Sequence, residues 1–267
     1  MKGKKILVIG GSDPSGGAGI QVDRLTCADL GVYPYSILTA VIAQNSSKVL
    51  SIERLSSDII SKQLEAVFLD TRIDTVKIGA LTSIEAVEVV SSFFEELKVK
   101  NIVIDPVIQS SSGTSFLSPS AVSLMKIRLF RIARVVTPNI PEAERLTGFS
   151  IKNFDDMKKA AEAIKTLGPE WVLIKGGHLQ GDECTDFLFN GNIERKYSSK
   201  RINKNVKGTG CIFSSALASQ LALNKDVPEA VELAKLYVTE RISKAISLGK
   251  GNFQSIPSFF ENFEVNW

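Results

Sequence analysis

The sequence predicts an α/β protein whose mostly parallel central sheet is covered by helices on both faces. Two observations carry this. Short β-rich runs alternate with longer amphipathic stretches, and the β-rich runs are almost continuously apolar, as strands buried on both faces must be. A chain of 267 residues with 44% hydrophobic and 23% charged residues can bury such a sheet.

The predicted strands are Ile6 to Ile9, Ser36 to Ala43, Thr75 to Ile78, Ile102 to Ile104, Val135 to Val136 and Val172 to Ile174. Helices are predicted between them. From Ile84 to Leu97, Val87, Val90, Phe94 and Leu97 share one face at helical spacing. Near the end Val227, Ala230, Val231, Ala234, Val238, Ile242 and Ala245 do the same. Asp186 to Phe189 and Ile193 to Tyr197 flank Asn190-Gly191, which predicts a small β-hairpin addition with a tight two-residue turn at one end of the sheet. No repeat or linker interrupts the pattern, so residues 1–267 are expected to form one domain. Phe253, Phe259, Phe260, Phe263 and Trp267 make the end of the chain too aromatic for a free tail; it is expected to pack on the body or on a second subunit.

Charge and cysteine content narrow the function. The net charge is +3, with 32 basic and 29 acidic residues interspersed, so no face for nucleic acid is expected and the partners should be small molecules. The run at the N-terminus is too short for a signal peptide and no later run reaches membrane-spanning length, which places the expected protein in the cytoplasm. Cys27, Cys184 and Cys211 are widely spaced, which argues against a disulfide framework or a zinc site. His178 is the single histidine and no G-x-S-x-G elbow is present, which argues against a serine hydrolase. A dinucleotide-dependent oxidoreductase is disfavoured because the G-x-G-x-x-G fingerprint is missing.

Four segments carry the chemistry. The first strand runs into Gly10-Gly11-Ser12-Asp13-Pro14-Ser15-Gly16-Gly17-Ala18-Gly19, whose five glycines let the backbone approach a ligand, although the loop is not a P-loop. Gly208-Thr209-Gly210-Cys211 opens the apolar run Ile212 to Leu223. A helix start of this kind presents free N–H groups and a positive dipole end to a phosphoryl group in flight. Asp105, and Asn139 with Glu142, lie just past strand ends, where open α/β sheets build their sites, and the carboxylates of Asp105 and Glu142 suit Mg²⁺. Lys175, ahead of Gly176-Gly177-His178, is placed to reach a nucleotide phosphate.

Together these segments resemble the hydroxymethylpyrimidine/phosphomethylpyrimidine kinases of thiamine synthesis, within the ribokinase-like superfamily. The resemblance spans about Lys5 to Gly249. It rests on GGSDPSGGAGIQVD, TAVIAQNS, VKIGAL, DPV, TPNIPEAERLTG, VLIKGGHL and KGTGC, in that order. It implies a ribokinase-like fold and Mg-ATP-dependent phosphorylation of 4-amino-5-hydroxymethyl-2-methylpyrimidine and then of its monophosphate. It further implies that Gln44 binds the aminopyrimidine, with Gly11, Asp13, Ala18 and Val107 around the acceptor. Cys211 would take the hydroxymethyl proton beside Gly208, Thr209 and Gly210, while Lys175 and Thr209 hold ATP. A helix N-terminus is expected to lower the thiol pKa. A homodimer is expected. Lys207 stands where the family often has histidine, Ala80 where a methionine is common, Gln109 to Ser112 where a lysine is usual, and Lys250 to Ser255 in place of the usual ending. The alternatives are a pyridoxal or pyridoxine kinase, which Gln44 argues against, and a non-catalytic pyrimidine-binding protein on the same fold.

Overall fold

The computed structural model describes residues 3–97 and 99–255. Strand β1 (Lys5–Ser12) is followed by α1 (Gly19–Asp29), β2 (Tyr33–Gln44), β3 (Val49–Arg54), α2 (Ser57–Asp70) and β4 (Thr75–Ile78). Then come α3 (Ile84–Glu96), β5 (Ile102–Ile104), α4 (Pro119–Ile132), β6 (Val135–Val136), α5 (Ile140–Thr147), α6 (Phe154–Lys165) and β7 (Trp171–Ile174). The hairpin β8 (Glu183–Phe189) and β9 (Glu194–Lys200) precedes α7 (Thr209–Ala222) and α8 (Val227–Ser243).

The strands form one nine-stranded sheet in the order β3-β2-β1-β4-β5-β6-β7-β8-β9. Strands β2, β1, β4, β5, β6 and β7 pair in parallel, and β3, β8 and β9 add antiparallel edges. Alternation along each strand divides the core. Ile6 and Val8 join Val103, Val135 and Leu173 against α1, α7 and α8, while Leu7 and Ile9 join Ile78, Ile104 and Ile174 against α2 to α6. Each such fully buried aliphatic side chain stabilises the fold by about 1.5–3 kcal/mol.

The predicted strands and helices are present, with two differences. Strand β3 was not predicted: its residues are mostly exposed, so its composition carries no buried apolar run. The hairpin is part of the sheet, and its turn has four residues because Phe189 pairs with Glu194. The Asn190 side chain accepts the N–H groups of Asn192 and Ile193 and so closes the longer loop. Of the aromatic tail, Phe259, Phe260, Phe263 and Trp267 lie outside the described residues. Among the described residues no helix is long and apolar enough to cross a membrane.

Candidate active site

Strand order reverses at β1: the chain passes from β1 to β2 on one side and reaches β4 on the other. A crevice opens at the carboxyl ends of the strands around such a point. Here it is a cleft of about 440 Å³. Its wall gathers residues from distant parts of the chain: Gly11 and Ala18, Gln44, Asp105 and Val107, Glu142, Lys175, and Gly208 to Cys211.

Helix capping marks the same place. Helices α2, α3, α4, α5, α6 and α8 each start under a Ser, Asn or Asp side chain that accepts a backbone N–H. Helices α1 and α7, which begin beside the cleft, have no side-chain cap. Their first N–H groups are therefore open to a ligand. The two helix starts are pressed together by glycine. Gly208 has φ of 76°, and a Cβ on it would lie 2.0 Å from the Gly17 carbonyl oxygen; Gly19 has φ of 63°, and a Cβ there would lie 2.3 Å from the Gly11 oxygen.

Opposite charges are interleaved on the wall, with Lys77, Arg145, Lys175 and Lys207 against Asp23, Asp105 and Glu142. Lys175 Nζ lies 2.8 Å from Asp105 Oδ1, and Ser214 Oγ donates to Asp105 Oδ2 at 3.3 Å. Burial alone would lower the Lys175 ammonium, but Asp105 and Glu142 outweigh it and hold it above the usual lysine range. Glu142 is part of a capping box: its Oε2 accepts the Asn139 N–H at 2.8 Å, and its own N–H goes to Asn139 Oδ1. Burial, reinforced by Asp105 and opposed by Lys175, pushes the Glu142 carboxyl up. A divalent cation would relieve that strain. Asp105 Oδ2 is turned toward Gly210, but among the described residues no group of three or more His, Cys, Asp or Glu side chains forms a metal cage. Two carboxylates without a cage would suit a cation that keeps most of its waters, such as Mg²⁺.

At the other end, Gln44 closes β2 at a bulge, and its side-chain amide has no hydrogen-bond partner among the described residues. Ile42, Ala80, Val107 and Phe116 make an apolar wall beside it. The Gln109–Ser115 loop is held from α5 by a hydrogen bond from Arg145 to Gln109, and Phe253 enters from the C-terminal segment. A flat ring with polar edges matches this end. A second cleft of about 350 Å³ continues past Lys175, Thr209 and Gly210 to His178, Asp186, Arg201 and Lys235.

Two sequence expectations need correction. Asp13 does not stand on the cleft wall: it is fully buried, with Oδ1 accepting from Ser15 N and Oγ and Oδ2 lying 3.1 Å from Lys207 Nζ. The Cys211 thiol is not lowered. Burial pushes it up to about 11, with Asp23 and Asp105 adding to the rise, against Lys77 and the Gly19 N–H.

Sequence reading also missed Lys77. It sits in a fully buried strand, 2.8 Å from Asp23, which in turn accepts from Ser215 Oγ at 2.8 Å. Burial would lower its ammonium, yet Asp23, then Cys211 and Asp105, keep it raised. The signal was available. A lone lysine in the run Thr75-Val76-Lys77-Ile78 needs a buried partner, and Asp23, on α1 beside Val22 and Ile20, is the complement.

The family model for phosphomethylpyrimidine kinase matches residues 13–255. A hydroxymethylpyrimidine/phosphomethylpyrimidine kinase of Aquifex aeolicus is 40% identical, over 92% of this chain and 96% of that protein. A thiamine biosynthesis bifunctional protein of Geobacter sulfurreducens is 43% identical over 92% of this chain, which spans only 51% of that longer protein. Among solved structures, a phosphomethylpyrimidine kinase of Clostridium difficile superposes with a TM-score of 0.80 at 44% identity, covering 89% of this chain and 98% of that one. An ADP complex of Bacillus subtilis pyridoxal kinase superposes with a TM-score of 0.89 at 33% identity, covering 96% and 97%.

Proposed function

The chain belongs to the phosphomethylpyrimidine kinase family, with its ribokinase-like α/β fold, and we propose that it transfers the γ-phosphoryl group of ATP to 4-amino-5-hydroxymethyl-2-methylpyrimidine and then to the monophosphate. The observation that carries the acceptor is the Gln44 amide, without a hydrogen-bond partner among the described residues, beside an apolar wall. One carboxamide offers a donor and an acceptor to a ring nitrogen and its neighbouring amine.

The nucleotide lies in the second cleft, with its phosphates over Thr209 and against Lys175. The hydroxymethyl oxygen of the acceptor attacks the γ-phosphorus and the bond to the β,γ-bridging oxygen breaks. ADP leaves, and the hydroxymethyl proton passes to Cys211 in its thiolate form, so the transfer draws on the deprotonated fraction of a thiol that burial has raised. The N–H groups of Thr209, Gly210 and Cys211 neutralise charge on the equatorial oxygens, the dominant contribution in a transfer that needs little covalent help. Asp105 and Glu142 would hold Mg²⁺, which offsets phosphate charge when bound. Residues of the Gln109–Ser115 loop, tied by Arg145, and Phe253 line the acceptor end.

Calorimetry on Gln44→Leu tests the acceptor assignment. The variant should keep nucleotide binding and lose roughly 1–3 kcal/mol of affinity for the pyrimidine alcohol. An unchanged affinity would remove Gln44 from the acceptor site.

A further inference from the structure

Lys77, Lys175 and Lys207 all border the cleft, and each is ion-paired. The carboxylates that hold Lys77 and Lys175 also line it. Asp13, which holds Lys207, lies beneath the loop, so this pair has a different task.

The Lys207 side chain is only 8% exposed, and its ammonium meets three groups from two remote segments. It lies 3.1 Å from Asp13 Oδ2 and donates to Ser15 Oγ and to the Asn45 carbonyl oxygen, both at 3.3 Å. Asp13 and Ser15 shape the glycine loop. Asn45 directly follows Gln44 and organises the β2–β3 turn, its Oδ1 accepting the N–H groups of Ser47 and Lys48. The Lys207 stem crosses the loop at Gly17, where an added Cβ would lie 3.4 Å from Lys207 Cδ. Lys207 itself precedes Gly208, the N-cap of α7, and its N–H donates to the Gln254 carbonyl at 3.1 Å. One buried cation thus ties the glycine loop to the turn after Gln44.

We propose that Lys207 is the positioning residue of the acceptor pocket, holding the glycine loop and the turn after Gln44 closed around the acceptor and so setting acceptor affinity rather than the rate of transfer. The proposal rests on the reading that the acceptor lies beside Gln44. Fixing two loops in their bound arrangement lowers the ordering cost of binding, which is felt by the ligand between them. The Lys207 ammonium makes its contacts to Asp13, Ser15 and Asn45, and none to Lys175, His178, Asp186 or Lys235 of the nucleotide cleft.

The test is steady-state kinetics on Lys207→Met, Lys207→Arg and the double variant Asp13→Asn/Lys207→Met, with Gln44→Leu beside them and thermal melts on all four. Lys207→Met should raise the acceptor KM roughly tenfold or more, with kcat changed by less than about threefold and the ATP KM unchanged. Lys207→Arg, which keeps the charge, should recover most of the loss. The double variant removes the stranded Asp13 charge that the single variant leaves buried. Its acceptor KM should stay high, because the tether is still missing. A double variant with wild-type acceptor KM would overturn the proposal in favour of a simple buried-charge penalty. Parallel losses in both KM values and kcat would overturn it in favour of general destabilisation. If Gln44→Leu leaves the acceptor KM unchanged, the acceptor assignment itself falls and takes this proposal with it. Loss in Gln44→Leu without loss in Lys207→Met sinks the latch alone.

Discussion

Replacing Gly208 by alanine strikes the anion-binding helix start without touching any side chain that carries charge. The substitution acts twice. It places a Cβ on a backbone with φ of 76°, which costs about 1–2 kcal/mol. It also places that Cβ 2.0 Å from the Gly17 carbonyl oxygen, whereas real Cβ contacts essentially never fall under 3.0 Å. The glycine loop and the α7 start must then part by about 1 Å, and a displacement of that size at a reacting centre can cost about 100-fold in rate. Gly191 supplies the control: its φ of 102° also disfavours alanine, but a Cβ there would meet only Lys165 Cε at 3.9 Å, an ordinary contact, and it lies in the β8–β9 turn. Both variants should melt lower, by about 2–4 °C for each kcal/mol lost. Only Gly208→Ala should lose turnover, measured as coupled ADP release at saturating ATP and pyrimidine alcohol. A folded Gly208→Ala enzyme within about threefold of wild-type kcat would refute the claim that these N–H groups, held at this spacing, carry the transfer.

Two further outcomes follow from the same geometry. Cys211 is a thiol raised to about 11, so the thiolate fraction grows about tenfold per pH unit through neutrality. The single-turnover rate should climb with pH between 6 and 9 in the wild type and flatten in Cys211→Ala; a flat wild-type profile would remove the thiolate from proton transfer. Glu142→Gln and Asp105→Asn should raise the Mg²⁺ concentration needed for half-maximal rate while leaving calorimetric affinity for the pyrimidine alcohol intact, and wild-type titrations in both variants would dissolve the proposed metal shell.

The sequence was most readable where physical demands on a residue are local. An apolar β1 running into five closely spaced glycines, and Gly208-Thr209-Gly210 ahead of an apolar helix, announce themselves because few other residues satisfy that backbone. Legibility failed where a role depends on a distant partner. Asp13 looks like a ligand-facing acid in its loop, yet it is buried against Ser15 and against Lys207, a partner 194 positions later that the loop itself does not announce. The Cys211 thiol sits at a helix start that alone would lower it; burial among elements far apart in the chain reverses the sign. Strand β3 stayed hidden because its pairing with β2 supplies what its exposed side chains do not encode. Lys77 is the intermediate case, visible as an anomaly in β4 but meaningful only once Asp23 is seen beside it.

The central claim is that this cleft phosphorylates a pyrimidine alcohol, and the neighbouring fold of pyridoxal kinase supplies the sharpest rival. Product analysis by mass, after incubating the protein with Mg-ATP and equal amounts of the pyrimidine alcohol and pyridoxal, decides between them. The account predicts that the pyrimidine gains one and then a second phosphoryl group while pyridoxal lags behind. Pyridoxal phosphate accumulating ahead of an unchanged pyrimidine, or no phosphoryl gain on either, would contradict it.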